Sequence, residues 1–313
     1  SFVSRGLGDV YKRQLFIFRI LIMKSFCLVF SALLFVYGSL MLIPSKAVND
    51  IPFYSQYENN LVIAHRGGRG LVPGNTIEAS ANALELGASI IELDIQLTRD
   101  KKIVARHDAS IDTTSNASGL ISEMYFTDMQ KYKYGFNNID FPDIKYKKPL
   151  QISLLEEFFE VFPEQRFLIE IKPKDPSAAD ALCETINNHD FSEKVLVGSF
   201  NTSTLRYFRR ICPQVPTSLG RSEITLAIIL KSFQLGNLFR SSGFSVQLPF
   251  KVNNRELINP GLIDFFQNMN MKVDVWTVND KDSIESLLHF DVDGIITDYP
   301  DLLASVIKHN RKE

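Results

Sequence analysis

The segment from Leu61 to Asp108 leaves the chain few folds to choose from. An apolar run, Leu61–Ala64, breaks off at His65, Arg66 and paired glycines. A second, Ser89–Leu97, carries Glu92 and Asp94, and a third, Ile103–Ala105, runs on to His107 and Asp108. Between the first two, Ile77–Leu86 has helical periodicity, with Asn75 or Thr76 as its N-cap. Strand, helix and strand in that order favour a parallel sheet. Thr98-Arg99-Asp100-Lys101 is too short for a crossover helix, so the third run is expected to fold back on the second and place His107 opposite Glu92.

The alternation continues to the end of the chain. Strand-like runs cover Arg166–Ile171, Lys194–Val197, Val215–Leu219, Gly243–Leu248, Lys272–Trp276 and Gly294–Ile296. Helix-like stretches, Leu154–Phe162, Thr202–Ile211, Ser222–Phe239, Pro260–Met269 and Lys281–Phe290, lie between them. With the first two strands this makes eight parallel strands over about 245 residues, the size of one α/β TIM barrel. An open doubly wound sheet is the alternative, but it does not bring polar residues from three strands to one point. The segment 109–150 breaks the pattern and reads as an insertion on the functional face. Its Tyr125, Phe126, Tyr132, Tyr134 and Phe136 either line a lipid or head-group pocket or form a small local core.

The residue types at the strand ends point to a chemistry. Glu92 and Asp94, two apart on a strand, leave by the same face. Ile90, Ile91, Leu93 and Ile95 surround them, so a solvated strand face is the weaker account. Buried unpaired carboxylates are costly, and a cation resolves the cost. Oxygen ligands suit Mg²⁺ or Ca²⁺ better than zinc. His65 and His107 are natural proton donors and acceptors near neutral pH. Arg66 offers a planar fork for phosphate oxygens, and Gly67, Gly68 and Gly70 let backbone approach a ligand. This set suits cleavage of a phosphate ester.

A net charge of −2 gives no reason to expect nucleic acid as a partner. Three cysteines form neither a CxxC nor a zinc-spaced set. Cys183 and Cys212 can pair in an oxidising compartment, but free buried thiols are the expectation. Residues 1–22 read as a non-native leader, since SFVSRGLGDVYKRQ resembles a translated sequencing adapter, and Met23 reads as the start. Residues 23–47 read as a membrane anchor or a signal peptide. The apolar stretch Ser25–Ile43 follows Arg19 and Lys24, and Ser45-Lys46-Ala47 offers a cleavage site. Either way the bulk of the chain is expected outside the cytoplasm, membrane-anchored if the segment is kept and periplasmic or secreted if it is cleaved. Residues 48–60 read as a polar linker to a barrel over 61–308.

The motifs HRGG, P-x-NT, ELDIQLTRD and HD, followed in order by ISLLEEFFEVFP, LIEIKP, VGSFN, VWTVND and DGIITDYPD, resemble the glycerophosphodiester phosphodiesterase family. That family belongs with the phospholipase-C-like phosphodiesterases on a TIM barrel, and the resemblance spans about Leu61 to Leu303. It implies a divalent cation held by Glu92, Asp94 and, through the Glu-x-Lys pattern, Glu170. It also implies phosphate contacts from Arg66 and Lys172, proton transfer by His65 and His107, Trp276 in the pocket wall, and an insertion over the mouth. The implied reaction is hydrolysis of a glycerophosphodiester to glycerol 3-phosphate and an alcohol. A lysophospholipase D acting on membrane lysolipids would use the same residues, and a catalytically silent phosphodiester-binding barrel is a third reading. The chain departs from the family at Gly74, where Glu is usual, and at Thr113, where Arg is common. Asp298 is expected to close the last strand–helix turn rather than to bind metal.

Overall fold

The computed structural model describes residues 3–57, 60–136, 140–141, 144, 146–148, 150–253 and 255–310, with side chains from Arg13 onward. It divides into two compact units, Ser1–Lys46 with Ile228–Phe239, and Ala47–Ala227 with Arg240–Glu313. The first unit is dominated by α1 (Val3–Met41), which runs without a break through residue 23. Its stretch Arg13–Met41 is long and apolar enough to cross a membrane, and its apolar side chains are exposed. Near its end the Tyr37 hydroxyl donates to Phe233 O (2.8 Å), and Asn237 Nδ2 donates to the carbonyls of Leu40 (2.8 Å) and Ile43 (2.6 Å).

The second unit is a barrel. Its strands are β1 (Leu61–Ala64), β2 (Ile90–Leu97), β3 (Ile103–Ala105), β4 (Phe167–Ile171), β5 (Val195–Gly198) and β6 (Ser245–Pro249). A short hairpin of β7 (Lys251–Val252) and β8 (Arg255–Glu256) follows, then β9 (Lys272–Trp276) and β10 (Gly294–Thr297). The helices after α1 are α2 (Ile77–Glu85), α3 (Phe126–Met129), α4 (Leu155–Val161), α5 (Pro176–Asn188), α6 (Thr202–Ile211), α7 (Arg221–Ser232), α8 (Pro260–Gln267), α9 (Lys281–His289) and α10 (Pro300–Asn310). Hydrogen-bonded neighbours run β5-β4-β2-β1-β10-β9-β6, all parallel.

The fifth position of the ring is filled differently from expectation. Val215–Leu219 is not a regular strand. It makes single parallel bridges, Thr217 with Val197 and Ser218 with Ser245, and these close the ring between β5 and β6. Pro216 has no N–H to donate, which limits the ladder there.

All eight residues of β2 are buried, as a parallel strand requires when helices cover one face and the barrel interior the other. The outer core packs Leu93 and Ile95 of β2 with Phe158 and Phe159 of α4, Leu182 of α5 and Phe208 of α6. The hairpin of β2 and β3 forms as expected, but its register pairs Ile95 with Ala105, and Arg106 N donates to Asp94 O (2.9 Å). His107 therefore lies just beyond Asp94 rather than opposite Glu92.

Two further expectations are corrected, and the alternative left open for the insertion is decided. The stretch read as a linker carries a 3₁₀ turn, Pro52–Tyr54, whose Phe53 and Tyr54 are buried against Leu61, Ile63, Ile90 and Ile296. They plug the N-terminal end of the barrel, because the inward apolar side chains there need a cover. Cys183 and Cys212 are not free thiols but a disulfide, with Cα atoms 5.8 Å apart, joining α5 to the residue that caps α6. In the insertion, Phe126 and Tyr134 pack with Val104, Ile111, Met129 and Ile152 as a local core, with Tyr132 against its edge. Tyr125 is exposed beneath the Arg99 guanidinium, and of the five aromatics only Phe136 lines a pocket beside His107.

Candidate active site

At the C-terminal ends of β1, β2 and β4 the chain gathers Glu92, Asp94 and Glu170, with one oxygen of each within 4.8 Å of the others. Asp94 and Glu170 are register partners on β2 and β4, which sets their spacing. Such a set of hard oxygens can hold a divalent cation. Burial, and then the Asp94 charge, raises the Glu92 carboxyl well above the usual carboxylate range. Burial pushes Glu170 up to about 7. Burial also acts to raise Asp94, but Lys172 and Arg66 outweigh it and hold that group low. Arg66 and Lys172 pair first with Asp94, and a divalent cation held among the three carboxyls would offset the cost of burying Glu92 and Glu170.

The backbone fixes these groups. After β1 the chain turns through Arg66 at φ +52°, a left-handed conformation uncommon outside glycine. The turn aims the Arg66 N–H at Glu92 Oε2 (2.7 Å), and Arg66 O accepts from Asn75 N (2.8 Å). Thr76 caps α2, its Oγ1 accepting from Ala79 N (3.1 Å). Asn75 is thereby left for another task. Its Oδ1 accepts from Asp94 N (3.0 Å) and its Nδ2 donates to Asp94 Oδ2 (3.2 Å). Arg66 Nε lies 3.0 Å from Asp94 Oδ2, an ion pair without the alignment of a hydrogen bond. Lys172 Nζ bridges Asp94 Oδ1 (2.9 Å) and Glu170 Oε2 (2.8 Å).

Both histidines are held by carboxylates. His65 Nδ1 is 2.6 Å from Asp298 Oδ1, and His107 Nδ1 is 2.7 Å from Asp108 Oδ1. A carboxylate only accepts, so each Nδ1 carries a proton and each Nε2 is the nitrogen left for chemistry. Burial lowers the pKa of both rings. Asp298, expected merely to close a turn, is held by Arg69 Nε (2.9 Å) and Asn279 Nδ2 (2.7 Å), and the opposing His65 and Arg69 charges bring it down to about 2 despite burial.

A cleft of about 810 Å³ opens from this centre, lined by His107, Glu170, Lys172 and Phe200 among others. Trp276 stands edge-on to Phe200, ring centres 5.5 Å apart, and its other side packs on the plug cluster. Phe200 is 55% exposed beside a charged cleft, a lining residue that VGSFN did not betray. Of the seven remaining positions named from the sequence, Arg66, Glu92, Asp94, Glu170 and Lys172 form one connected cluster through the contacts above, while His65 adjoins it as the chain neighbour of Arg66 and His107 lines the cleft with Glu170 and Lys172.

The model of the glycerophosphoryl diester phosphodiesterase family matches residues 65–302. The chain is 32% identical over 256 residues to a glycerophosphodiester phosphodiesterase of Caldanaerobacter subterraneus, covering 79% of this chain and 98% of that one. Among solved structures it resembles a phosphodiesterase of Oleispira antarctica in complex with the product sn-glycerol-3-phosphate, at TM-score 0.66 and 21% identity, over 80% of this chain and 97% of that one. It also resembles the glycerophosphodiester phosphodiesterase of Agrobacterium tumefaciens, at TM-score 0.63 and 21% identity, over 79% and 99%.

Proposed function

The chain belongs to the glycerophosphoryl diester phosphodiesterase family, and from that premise we propose that it hydrolyses glycerophosphodiesters to glycerol 3-phosphate and an alcohol with His65 and His107 as its acid–base pair. The observation that carries the reading is the convergence of three carboxylates near two imidazoles, each with Nδ1 tied to a carboxylate of its own. Glu92, Asp94 and Glu170 would hold a Mg²⁺ or Ca²⁺ ion, which draws charge from a non-bridging phosphate oxygen when bound. Arg66 and Lys172 line the same space and bind the remaining phosphate oxygens. One imidazole takes the proton of the attacking oxygen at Nε2, and the other gives a proton to the departing alcohol. Asp298 and Asp108 keep the two rings in the tautomer this requires. Phe200 walls the cleft that receives the alcohol, with Trp276 packed edge-on against it.

The decisive assay is release of glycerol 3-phosphate from glycerophosphocholine with Mg²⁺, with Ca²⁺ and with chelator, for the wild type and His107→Ala. Metal-dependent release that the variant loses supports the enzyme and its site together. No release from the folded protein, with hydrolysis of lysophosphatidylcholine instead, would move the assignment to a lysophospholipase D. Failure on both would leave a phosphodiester-binding barrel.

We also infer a place for the molecule. The disulfide favours an oxidising compartment, and Arg19 and Lys24 ahead of the apolar stretch Ser25–Ile43 favour a barrel outside the cytoplasm. The mass of the membrane-extracted protein tests whether the segment is kept as an anchor or cleaved after Ala47.

A further inference from the structure

His107 also lines a second, small pocket of about 40 Å³, which shares Arg66, Asn75 and Asp108 with the site above and adds residues that the reaction does not use. A cavity needs roughly 10–15 Å³ on this measure to seat one water, so the pocket has room for about three such positions, the footprint of a carboxylate or one face of a phosphate. Its lining includes Arg66, Arg69, Gly74, Arg106 and Thr114.

Arg106 is the anomaly. It follows β3 directly and is only 5% exposed. Its guanidinium lies 4.2 Å from the centre of the Tyr134 ring, so one flat face is covered. Its edge is not satisfied, because neither Nε nor Nη2 has a hydrogen-bond partner among the described residues. Burial lowers its pKa to about 10, which still leaves it charged at neutral pH. A buried, unpaired guanidinium is strongly unfavourable unless something occupies its donors.

The neighbouring charges are already committed. Arg66 pairs with Asp94, and Arg69 with Asp298 and Asp140. Asp108, the carboxylate nearest this pocket, accepts from His107 and from the Thr113 hydroxyl. Glycine at 74 keeps the rim open, since a Cβ there would come within 2.7 Å of Arg69 Cβ and 3.0 Å of Arg66 Cβ.

We propose that this pocket is an anion subsite in which Arg106 receives a carboxylate or phosphate group next to the reacting phosphodiester. The group is either a second anionic substituent of the substrate, a source that rests on the hydrolase reading, or a free anion such as inorganic phosphate. A substrate of the first kind is a glycerophosphodiester whose glycerol bears a second phosphate.

The test is calorimetric titration of inorganic sulfate into the full-length, metal-stripped protein in detergent. One sulfate per chain is expected. Arg106→Gln should weaken it at least tenfold, and Lys172→Gln, which alters the other cleft, should leave it within twofold. Because Arg106 is buried and its variant can misfold, Thr114→Glu is the second probe. It brings a carboxylate into the pocket from a partly exposed position and should weaken sulfate at least tenfold as well. No sulfate bound by the wild type, or equal binding by the wild type and Thr114→Glu, overturns the subsite. The source is read from kcat/KM for the glycerol-phosphorylated diester over the plain one. A ratio above ten that falls toward one in Thr114→Glu assigns the substrate. A ratio near one beside Arg106-dependent sulfate binding supports the subsite with a free anion as its occupant. Absence of any diester hydrolysis with sulfate binding intact would count against the hydrolase reading and leave the subsite standing.

Discussion

The two ends of the barrel both bury carboxylates, and they settle the charge in opposite ways. At the C-terminal end Glu92, Asp94 and Glu170 share Arg66 and Lys172 and open on a wide cleft. Toward the N-terminal end Asp274 of β9 is 1% exposed, its Oδ1 has no hydrogen-bond partner among the described residues, and the Tyr54 hydroxyl lies 3.4 Å from its Oδ2. Its packing is so close that any side chain at Gly294 would strike Oδ1. Burial, and then the Asp293 charge, pushes Asp274 up to about 7. Phe53 and Tyr54 seal that end, whereas the other is left for a ligand. A buried carboxylate therefore announces a site only where cations and access accompany it. Asp274 has neither access nor an ion-paired cation among the described residues, and burial pushes its carboxyl up with nothing placed to receive a ligand.

That contrast can be broken in four places. At the open end, His107→Ala should lower kcat by about 10²–10⁴-fold, the usual worth of a positioned acid or base, with the thermal midpoint unchanged. A loss below tenfold would remove His107 from the chemistry. At the sealed end, Phe53→Ala should reverse the pattern. Chemical denaturation should show a loss of about 3–5 kcal/mol for a large aromatic removed from a packed site, with kcat of the folded protein within about threefold. A catalytic collapse at full stability would mean the plug is not separate from the site. Replacing Cys183 and Cys212 together with Ser should cost about 2–4 kcal/mol in a urea titration, again with little effect on turnover.

The fourth effect is a slope. The folded pKa of Asp274 lies above its unfolded value, so the folded protein holds the extra proton between about pH 4 and pH 7, and stability falls as pH rises through that window. The limit is about 1.4 kcal/mol per pH unit. Asp274→Asn should flatten the slope, and an unchanged profile would refute the buried proton.

Much of this was legible because short apolar runs ended in chemistry. Polar residues at the ends of Leu61–Ala64, Ile90–Leu97 and Phe167–Ile171 must meet if the strands are parallel and the sheet closes, and they do. Glu170 owed its role to a family resemblance, since one Glu-x-Lys is an ordinary surface pair. What stayed hidden depended on distance or on backbone angle. Asp298 orients His65 across 233 residues, a pairing that no local pattern encodes. Asn75 looked like a cap, but at φ +57° its amide turns to Asp94 while Thr76 caps the helix. Phe53 and Tyr54 sat in a polar, irregular stretch with no periodicity to mark them as core. The meeting of Cys183 with Cys212 required knowing how two helices pack.

The His65–Asp298 contact has one more consequence. β1 pairs along its whole length with β10, and the imidazole at the end of the first strand is oriented by the carboxylate at the end of the last. A fragment that ends before Asp298 lacks this partner of the His65 ring, however well its own strands form. A ribosome-bound or C-terminally clipped product that retains Glu92, Asp94 and Glu170 still lacks the carboxylate that holds His65.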